Sequence, residues 1–212
     1  AIEEINAAGG KAIAAQADVT DLASVRAMIG QAERAFGPVD VLVNNAGNAG
    51  ATPDPDARKP FWETGPEVWN SFIGVNLYGV INCASACIPQ MIERKDGSVI
   101  IVSSIGGLKG STILGAYAIS KAADMQLARN LACEYGKHNI RVNCIAPGLI
   151  KTDFAKALWD NPDNLKASTA RSPLLRIGVP DEIAGAAVFL GSRAGDFMTG
   201  QTMVIDGGAT IS

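Results

Sequence analysis

Val39-Asp40-Val41-Leu42-Val43 runs directly into Asn44-Asn45-Ala46-Gly47. Four of the first five residues are aliphatic and three of those are β-branched, without the alternation of a strand that has one wet face. A strand covered on both faces has this pattern, and such strands belong to parallel rather than antiparallel sheets. Asn-Asn-Ala-Gly then stops it with turn formers.

Working outward, the same signature recurs at Ser98–Val102, after the Asp96-Gly97 turn and before Ser103-Ser104, and at Arg141–Ala146, stopped by Pro147-Gly148. Gln201–Ile205 is a last strand before Asp206-Gly207-Gly208, and Lys11–Val19 is predicted as a first one leading to Asp18. Helical stretches lie between them. Residues Ala1–Ala8 read as a helix end stopped by Gly9-Gly10. Thr20 or Asp21 caps a helix to about Phe36, with Val25, Met28, Ile29, Ala32 and Phe36 on one face. A proline-containing loop over Ala51–Glu63 precedes a long helix from about Pro66 to Glu93. A Gly-rich loop to Gly115 leads into a helix reaching Tyr135-Gly136, Leu149–Arg176 is amphipathic and irregular, and Pro180–Gly191 is helical. Strands alternating with helices in this order predict an α/β fold, a doubly wound parallel sheet in three αβα layers with right-handed crossovers. Ligands in such sheets bind at the carboxyl ends of the strands. There Asp18, Asn44–Gly47, Ser103-Ser104 and Pro147-Gly148 converge.

Bulk properties narrow the function. The chain has 212 residues, 48% of them hydrophobic, which suits one sizeable core and a single domain over 1–212. Net charge is −3 and the eighteen basic residues are scattered, so no nucleic-acid footprint or polybasic membrane patch is present. The apolar runs are strand-sized, below the roughly 20 residues of a membrane span, and Ala-Ile-Glu-Glu is no signal peptide; a soluble, cytoplasmic protein is expected. Cys83, Cys87, Cys133 and Cys144 sit in apolar segments with no CxxC pair, and His138 is the only histidine. They read as small buried hydrophobes, and no metal site is expected.

Gly115-Ala-Tyr117-Ala-Ile-Ser-Lys121 places a phenol and an ammonium on one helical face, about a turn apart. A lysine held there stabilises a phenolate, whose ordinary pKa of about 10 otherwise makes tyrosine a poor base near neutrality. Alone, the pair is a common helical pattern, and its meaning depends on the rest of the chain.

Taken together, Asp18-Val19, Asn44-Asn45-Ala46-Gly47, Asn76 in Gly-Val-Asn-Leu-Tyr-Gly, Ser104, Tyr117-x-x-x-Lys121, Pro147-Gly148-x-x-x-Thr152 and Asp206-Gly207-Gly208 resemble the short-chain dehydrogenase/reductases. These are NAD(P)-dependent oxidoreductases on a Rossmann-type sheet, and the resemblance covers nearly the whole chain. It implies an enzyme that interconverts a secondary alcohol and a ketone or aldehyde by hydride transfer. Tyr117 is then the general acid/base, and Lys121 lowers its pKa and holds the nicotinamide ribose. Ser104 orients the substrate oxygen. Ser103 is its rival, since neighbours on a strand face opposite ways; the family places its serine thirteen residues before the tyrosine, which selects Ser104. Asn76 is implied to bend its helix and bind a relay water. Asp18 and Val19 would read adenine, Asn44, Ala46 and Gly47 would pass the adenine ribose, and Pro147, Gly148, Ile150 and Thr152 would flank nicotinamide.

The pattern departs from the family at one point. The glycine-rich strand-turn-helix that cradles the pyrophosphate has no match in these residues. By comparison with the family, an N-terminally truncated form of an enzyme of about 250 residues is expected, its missing strands lying between those ending at Asp18 and Asn44. The competing reading is a non-catalytic binding or assembly module that cannot hold the dinucleotide, and a further rival is a sugar-nucleotide epimerase-like relative. The choice between NAD and NADP rests on a position outside these motifs. Ile105, Leu114, Leu149, Phe154, Leu158 and Trp159 hint at an apolar alcohol or carbonyl substrate under a substrate lid at about 149–176. The resemblance also implies a homo-oligomer, tetramer or dimer, with no nucleic-acid or membrane partner.

Overall fold

The computed structural model describes residues 1–47, 61–110 and 115–212. In chain order it forms α1 (Ile2–Ala7), α2 (Leu22–Phe36), β1 (Val41–Asn44), α3 (Pro66–Ile73), a π turn (Gly74–Tyr78) and α4 (Gly79–Arg94). Then follow β2 (Gly97–Val102), α5 (Gly115–Tyr135), β3 (Ile140–Pro147), α6 (Lys156–Trp159), α7 (Pro162–Thr169), α8 (Pro180–Gly191) and β4 (Thr202–Ile205). Most of the predicted loop over 51–63, and Leu114, lie outside the described residues.

All pairings in the sheet are parallel, in the order β1-β2-β3-β4. Val43 sits beside Ile100, Ile101 beside Cys144, and Ile145 beside Met203. The pleat sends alternate side chains to opposite faces. Val99, Ile101, Val142 and Cys144 enter a large core with Val25, Val80, Cys87 and Met91 from α2 and α4 and Met125 and Ala128 from α5. Ile100 and Ile145 point the other way, onto Ala186 and Leu190 of α8. Each fully buried aliphatic side chain contributes about 1.5–3 kcal/mol. That two-sided demand is why these strands carry unbroken runs of Val and Ile.

Local signals set the boundaries. Asp21 caps α2 by accepting from the Ala23 amide at 2.9 Å. Pro180 opens α8, where Glu182 accepts from the Val179 amide at 2.9 Å. Pro66–Arg94, 29 residues across α3, the π turn and α4, is long and apolar enough by composition to cross a membrane. Counting uninterrupted runs missed this, because Asn70, Asn76, Asn82 and Gln90 divide the span. Phe72, Val80, Cys83, Ala84, Cys87, Ile88 and Met91 are its buried side, within the protein core.

One predicted element is corrected. Lys11–Val19 is not a strand: residues 11–18 form no regular structure. A strand exists through its ladder, and among the described residues none runs beside this segment. β1 accordingly stands at one edge of the sheet, with Val41 and Val43 exposed.

Candidate active site

β2 ends in two serines that part at once. Ser103 is buried, and its hydroxyl donates to the Lys121 carbonyl oxygen at 2.7 Å. Ser104 turns to the other side, where its oxygen accepts from the Gly106 amide at 3.0 Å and starts a short 3-10 turn over Ile105–Gly107. Ser104 lies beside Tyr117: a Cβ on Gly106 would stand 3.4 Å from both the Ser104 oxygen and the Tyr117 ring. The alternation of a strand thus assigns the two residues different partners.

This turn packs tightly on α5. A Cβ on Gly107 would stand 2.6 Å from the Ala122 nitrogen and from the Lys121 carbonyl carbon. Only hydrogen fits there. On the other side of the tyrosine, the Phe72 ring meets the Tyr117 ring edge-on, with centroids 6.5 Å apart. Burial pushes the Tyr117 phenol above its ordinary value; Ser104 opposes this, and the Asp124 charge adds to it.

Lys121 lies one helical turn on and is only 4% exposed. Its ammonium donates to the Val102 carbonyl at 3.0 Å and to the Asp124 carboxylate at 3.0 Å. The ammonium is thus paired with a buried carboxylate one turn from the phenol, whose rise above its ordinary value comes first from burial, with the Asp124 charge adding to it.

The bend implied at Asn76 is the π turn, closed by the Gly79 amide on the Gly74 carbonyl. Asn76 is fully buried there, and its amide donates to Ser120 Oγ at 2.9 Å. Ser120 in turn donates to the Tyr117 carbonyl at 2.7 Å. Asn76 is therefore tied to the turn of α5 that carries the phenol and the ammonium.

The remaining predicted residues surround this centre. Asn44 ends β1, 7% exposed, and its Nδ2 has no hydrogen-bond partner among the described residues. A Cβ on Gly47 would lie 3.6 Å from Asn76 Oδ1, so Gly47, next to Ala46, borders the π turn. Val19, next to Asp18, rests against α4 and packs on the large core. Asn82 donates to the Val19 carbonyl at 2.9 Å, and a Cβ on Gly79 would meet Val19 Cγ2 at 2.7 Å. The Asp18 carboxylate accepts from the Thr20 hydroxyl at 2.7 Å and amide at 2.8 Å, which holds it below the ordinary carboxylate range.

At the end of β3, the Gly148 amide bonds the Ile205 carbonyl at 2.9 Å, and Ile150 bridges to Gly178. The segment beyond is fastened at both ends: Lys151 donates to Gly178, and Ser172 Oγ donates to the Gly207 carbonyl at 2.8 Å. Within it Trp159 donates to the Thr152 carbonyl at 2.9 Å, while Phe154 and Leu158 stay half exposed.

Sequence reasoning missed Phe72, Ser120 and Asp124, and gave Ser103 no structural part. Asp124 had a visible signal, since it follows Lys121 by three positions on a helix. Phe72 and Ser120 act across long loops and carry no local signal.

A doubly wound sheet that brings a serine hydroxyl to a buried phenol, with an ammonium one turn further on, defines a class of α/β oxidoreductase. The chain belongs to the short-chain dehydrogenase/reductase family, and residues 1–210 match the family profile described as Enoyl-(Acyl carrier protein) reductase. It is 39% identical over 212 residues to the 5-keto-D-gluconate 5-reductase of Escherichia coli, covering all of this chain and 81% of that enzyme. Among solved structures it resembles a gluconate 5-dehydrogenase from Burkholderia cenocepacia in complex with NADP and tartrate. There the TM-score is 0.91 and the identity 34%, over 100% of this chain and 80% of that one. It also resembles a 3-oxoacyl-[acyl-carrier protein] reductase with bound NAD from Brucella melitensis, with TM-score 0.87, 33% identity, and coverage of 100% and 76%.

Proposed function

We propose that the chain carries the proton-handling centre of an NAD(P)-dependent oxidoreductase that interconverts a secondary alcohol and a ketone or aldehyde, with Tyr117 as general acid/base. The observation that carries the reading is that Ser104 and the buried Tyr117 phenol stand together: a Cβ on Gly106 would lie 3.4 Å from both the Ser104 oxygen and the Tyr117 ring, and Ser104 favours the phenolate. Two hydroxyls that meet at the carboxyl end of a parallel strand form a site where one carbonyl oxygen can accept from both.

The nicotinamide, when bound, supplies the hydride or takes it up. Everything else falls to this chain. Ser104 orients the substrate oxygen, and Tyr117 passes a proton to it or receives one. A phenol held above its ordinary value stays protonated at neutral pH, which suits it to donate a proton during reduction. Lys121, anchored to the end of β2, and Tyr117 would hold the nicotinamide ribose. Pro147, Gly148, Ile150 and Thr152 would flank the ring, and Asp18 and Val19 would meet adenine. The residues fit such a cofactor on one internal observation: the buried Asn44 Nδ2 lacks a partner among the described residues. A donor left so costs about 1–3 kcal/mol, and a cofactor ribose hydroxyl would satisfy it. Ala46 and Gly47 continue the same border.

NADP and NAD each accompany a solved relative, and this chain would take one of them. The same reading makes the protein a cytoplasmic homo-oligomer, tetramer or dimer; the exposed Tyr78 and Ile119 support a partner surface beside the site. The test is to titrate the chain with NADH and NADPH, following nicotinamide fluorescence, and then to assay oxidation of the bound form against a carbonyl panel that includes 5-keto-D-gluconate and a 3-oxoacyl thioester. Consumption of cofactor with one of these carbonyls supports the reading. Binding without turnover across the panel favours the non-catalytic module.

A further inference from the structure

The mechanism above leaves one buried charge unexplained. Asp124 sits in the interior of α5, fully buried, in the same helical turn as Lys121. Aspartate is a poor residue for a helix interior, and a carboxylate out of water is costly unless it is paired. Its Oδ2 accepts from the Lys121 ammonium at 3.0 Å, while Oδ1 has no hydrogen-bond partner among the described residues. The pair is shielded from solvent on both sides, Lys121 being 4% exposed, so the attraction is weakly screened.

We infer that Asp124 is a positioning residue for Lys121: it holds the ammonium against the end of β2 and determines how much of its positive charge reaches the Tyr117 phenol. The inference rests on the proposed roles of Tyr117 and Lys121, which it deepens.

Geometry supports each part. The Lys121 ammonium is held at two points, the Val102 carbonyl and the Asp124 carboxylate, and its own carbonyl is held by Ser103 at 2.7 Å. The lysine is therefore fixed in direction as well as position. A dipole of opposite charges acts on a third group far more weakly than a lone ammonium would. The other groups around Asp124 do not replace it. From β3 the Cys144 thiol donates to the Asp124 carbonyl at 3.5 Å, and burial with the Asp124 charge pushes that thiol up to about 12, so it stays neutral. Around the phenol itself, α3 contributes Phe72 and the loop after β2 contributes Ser104, neither charged. Burial pushes the Asp124 carboxyl up to about 6, with Lys121 pulling it back, so it is ionised at neutral pH and loses its charge in mild acid.

The sign of the effect follows. The Asp124 charge raises the Tyr117 pKa, so its removal leaves Lys121 uncompensated and lowers the phenol's titration midpoint. Phenolate absorbance against pH reads this without any turnover, and subtraction of the Tyr117→Phe curve isolates Tyr117 from Tyr78 and Tyr135. The inference predicts a lower midpoint in Asp124→Asn than in the wild-type chain, and a return toward the wild-type value in Asp124→Glu, which restores the charge. A folded Asp124→Asn variant with an unchanged or higher midpoint overturns it. Should that variant not fold, Asp124→Ser is read in the same way. Because no arm needs a substrate, absent ketone reduction would count against the proposed function and leave this result standing.

Discussion

Ser103 donates its hydroxyl to the carbonyl oxygen of Lys121 at 2.7 Å, joining the end of β2 to the helix that carries the phenol and the ammonium. Its neighbour Ser104 faces the phenol instead. The two serines should therefore fail differently. On the proposed role, Ser104→Ala removes a donor to the reacting oxygen and should lower kcat by about 10²–10³-fold. Ser103→Ala loses one buried hydrogen bond, about 1 kcal/mol. Calorimetry should then show Tm about 2–4 °C lower, with most activity retained. Equal losses of kcat in the two variants would contradict the assignment.

Gly107 supplies a second lever on the same joint. Its absent side chain lets the loop after β2 lie directly on the backbone of Lys121 and Ala122. Gly107→Ala places a methyl group 2.6 Å from that backbone, so the loop or α5 must shift. A misplacement near 1 Å costs about 10²-fold in rate. Steady-state kinetics on the folded variant should show the loss in kcat; a wild-type kcat would mean that the loop does not position Ser104 against Tyr117.

The pH dependence follows from the direction of the Tyr117 shift. Burial keeps the phenol protonated beyond its ordinary range, and reduction needs the protonated form as the acid. Carbonyl reduction should thus hold its kcat/KM through neutrality and fall only at alkaline pH, as the phenol ionises. Alcohol oxidation, which needs the phenolate, should rise over the same alkaline range. A reduction rate that falls between pH 6 and 8, roughly the window of histidine-like groups, would point to a different acid.

Gly79 gives a test of the proposed adenine-binding segment. It allows Val19 to rest on α4, where Asn82 also holds the Val19 carbonyl. Gly79→Ala puts a methyl group 2.7 Å from Val19 Cγ2 and should displace the Asp18-Val19 segment. Cofactor KM is predicted to rise several-fold while kcat at saturation changes little, since Tyr117 is untouched. A fall in kcat with KM unchanged would separate this segment from cofactor binding.

How much of this was legible in the sequence depends on the range of the interaction involved. β1, β2 and β3 were readable because burial on both faces leaves an unbroken Val/Ile signature, and α2, α5 and α8 because their ends carry caps, prolines or glycines in sequence. Lys11–Val19 misled for the same reason: its composition suits a strand, but no ladder forms beside it. The contacts that shape the site are of another kind. Ser103 to Lys121, Asn76 to Ser120 and Phe72 to Tyr117 join different elements, and no local pattern announces them. Asp124 is the exception, three positions from Lys121 on one helix face. It passed unread because a buried carboxylate and a solvated one look alike in sequence.

The most direct measurement compares Tyr117→Phe with the wild-type chain, following NAD(P)H binding by fluorescence and carbonyl reduction by loss of nicotinamide absorbance. With Tyr117 as the proton donor, the variant should bind cofactor like the wild type and lose nearly all turnover. A variant that reduces the carbonyl at the wild-type rate would contradict that role.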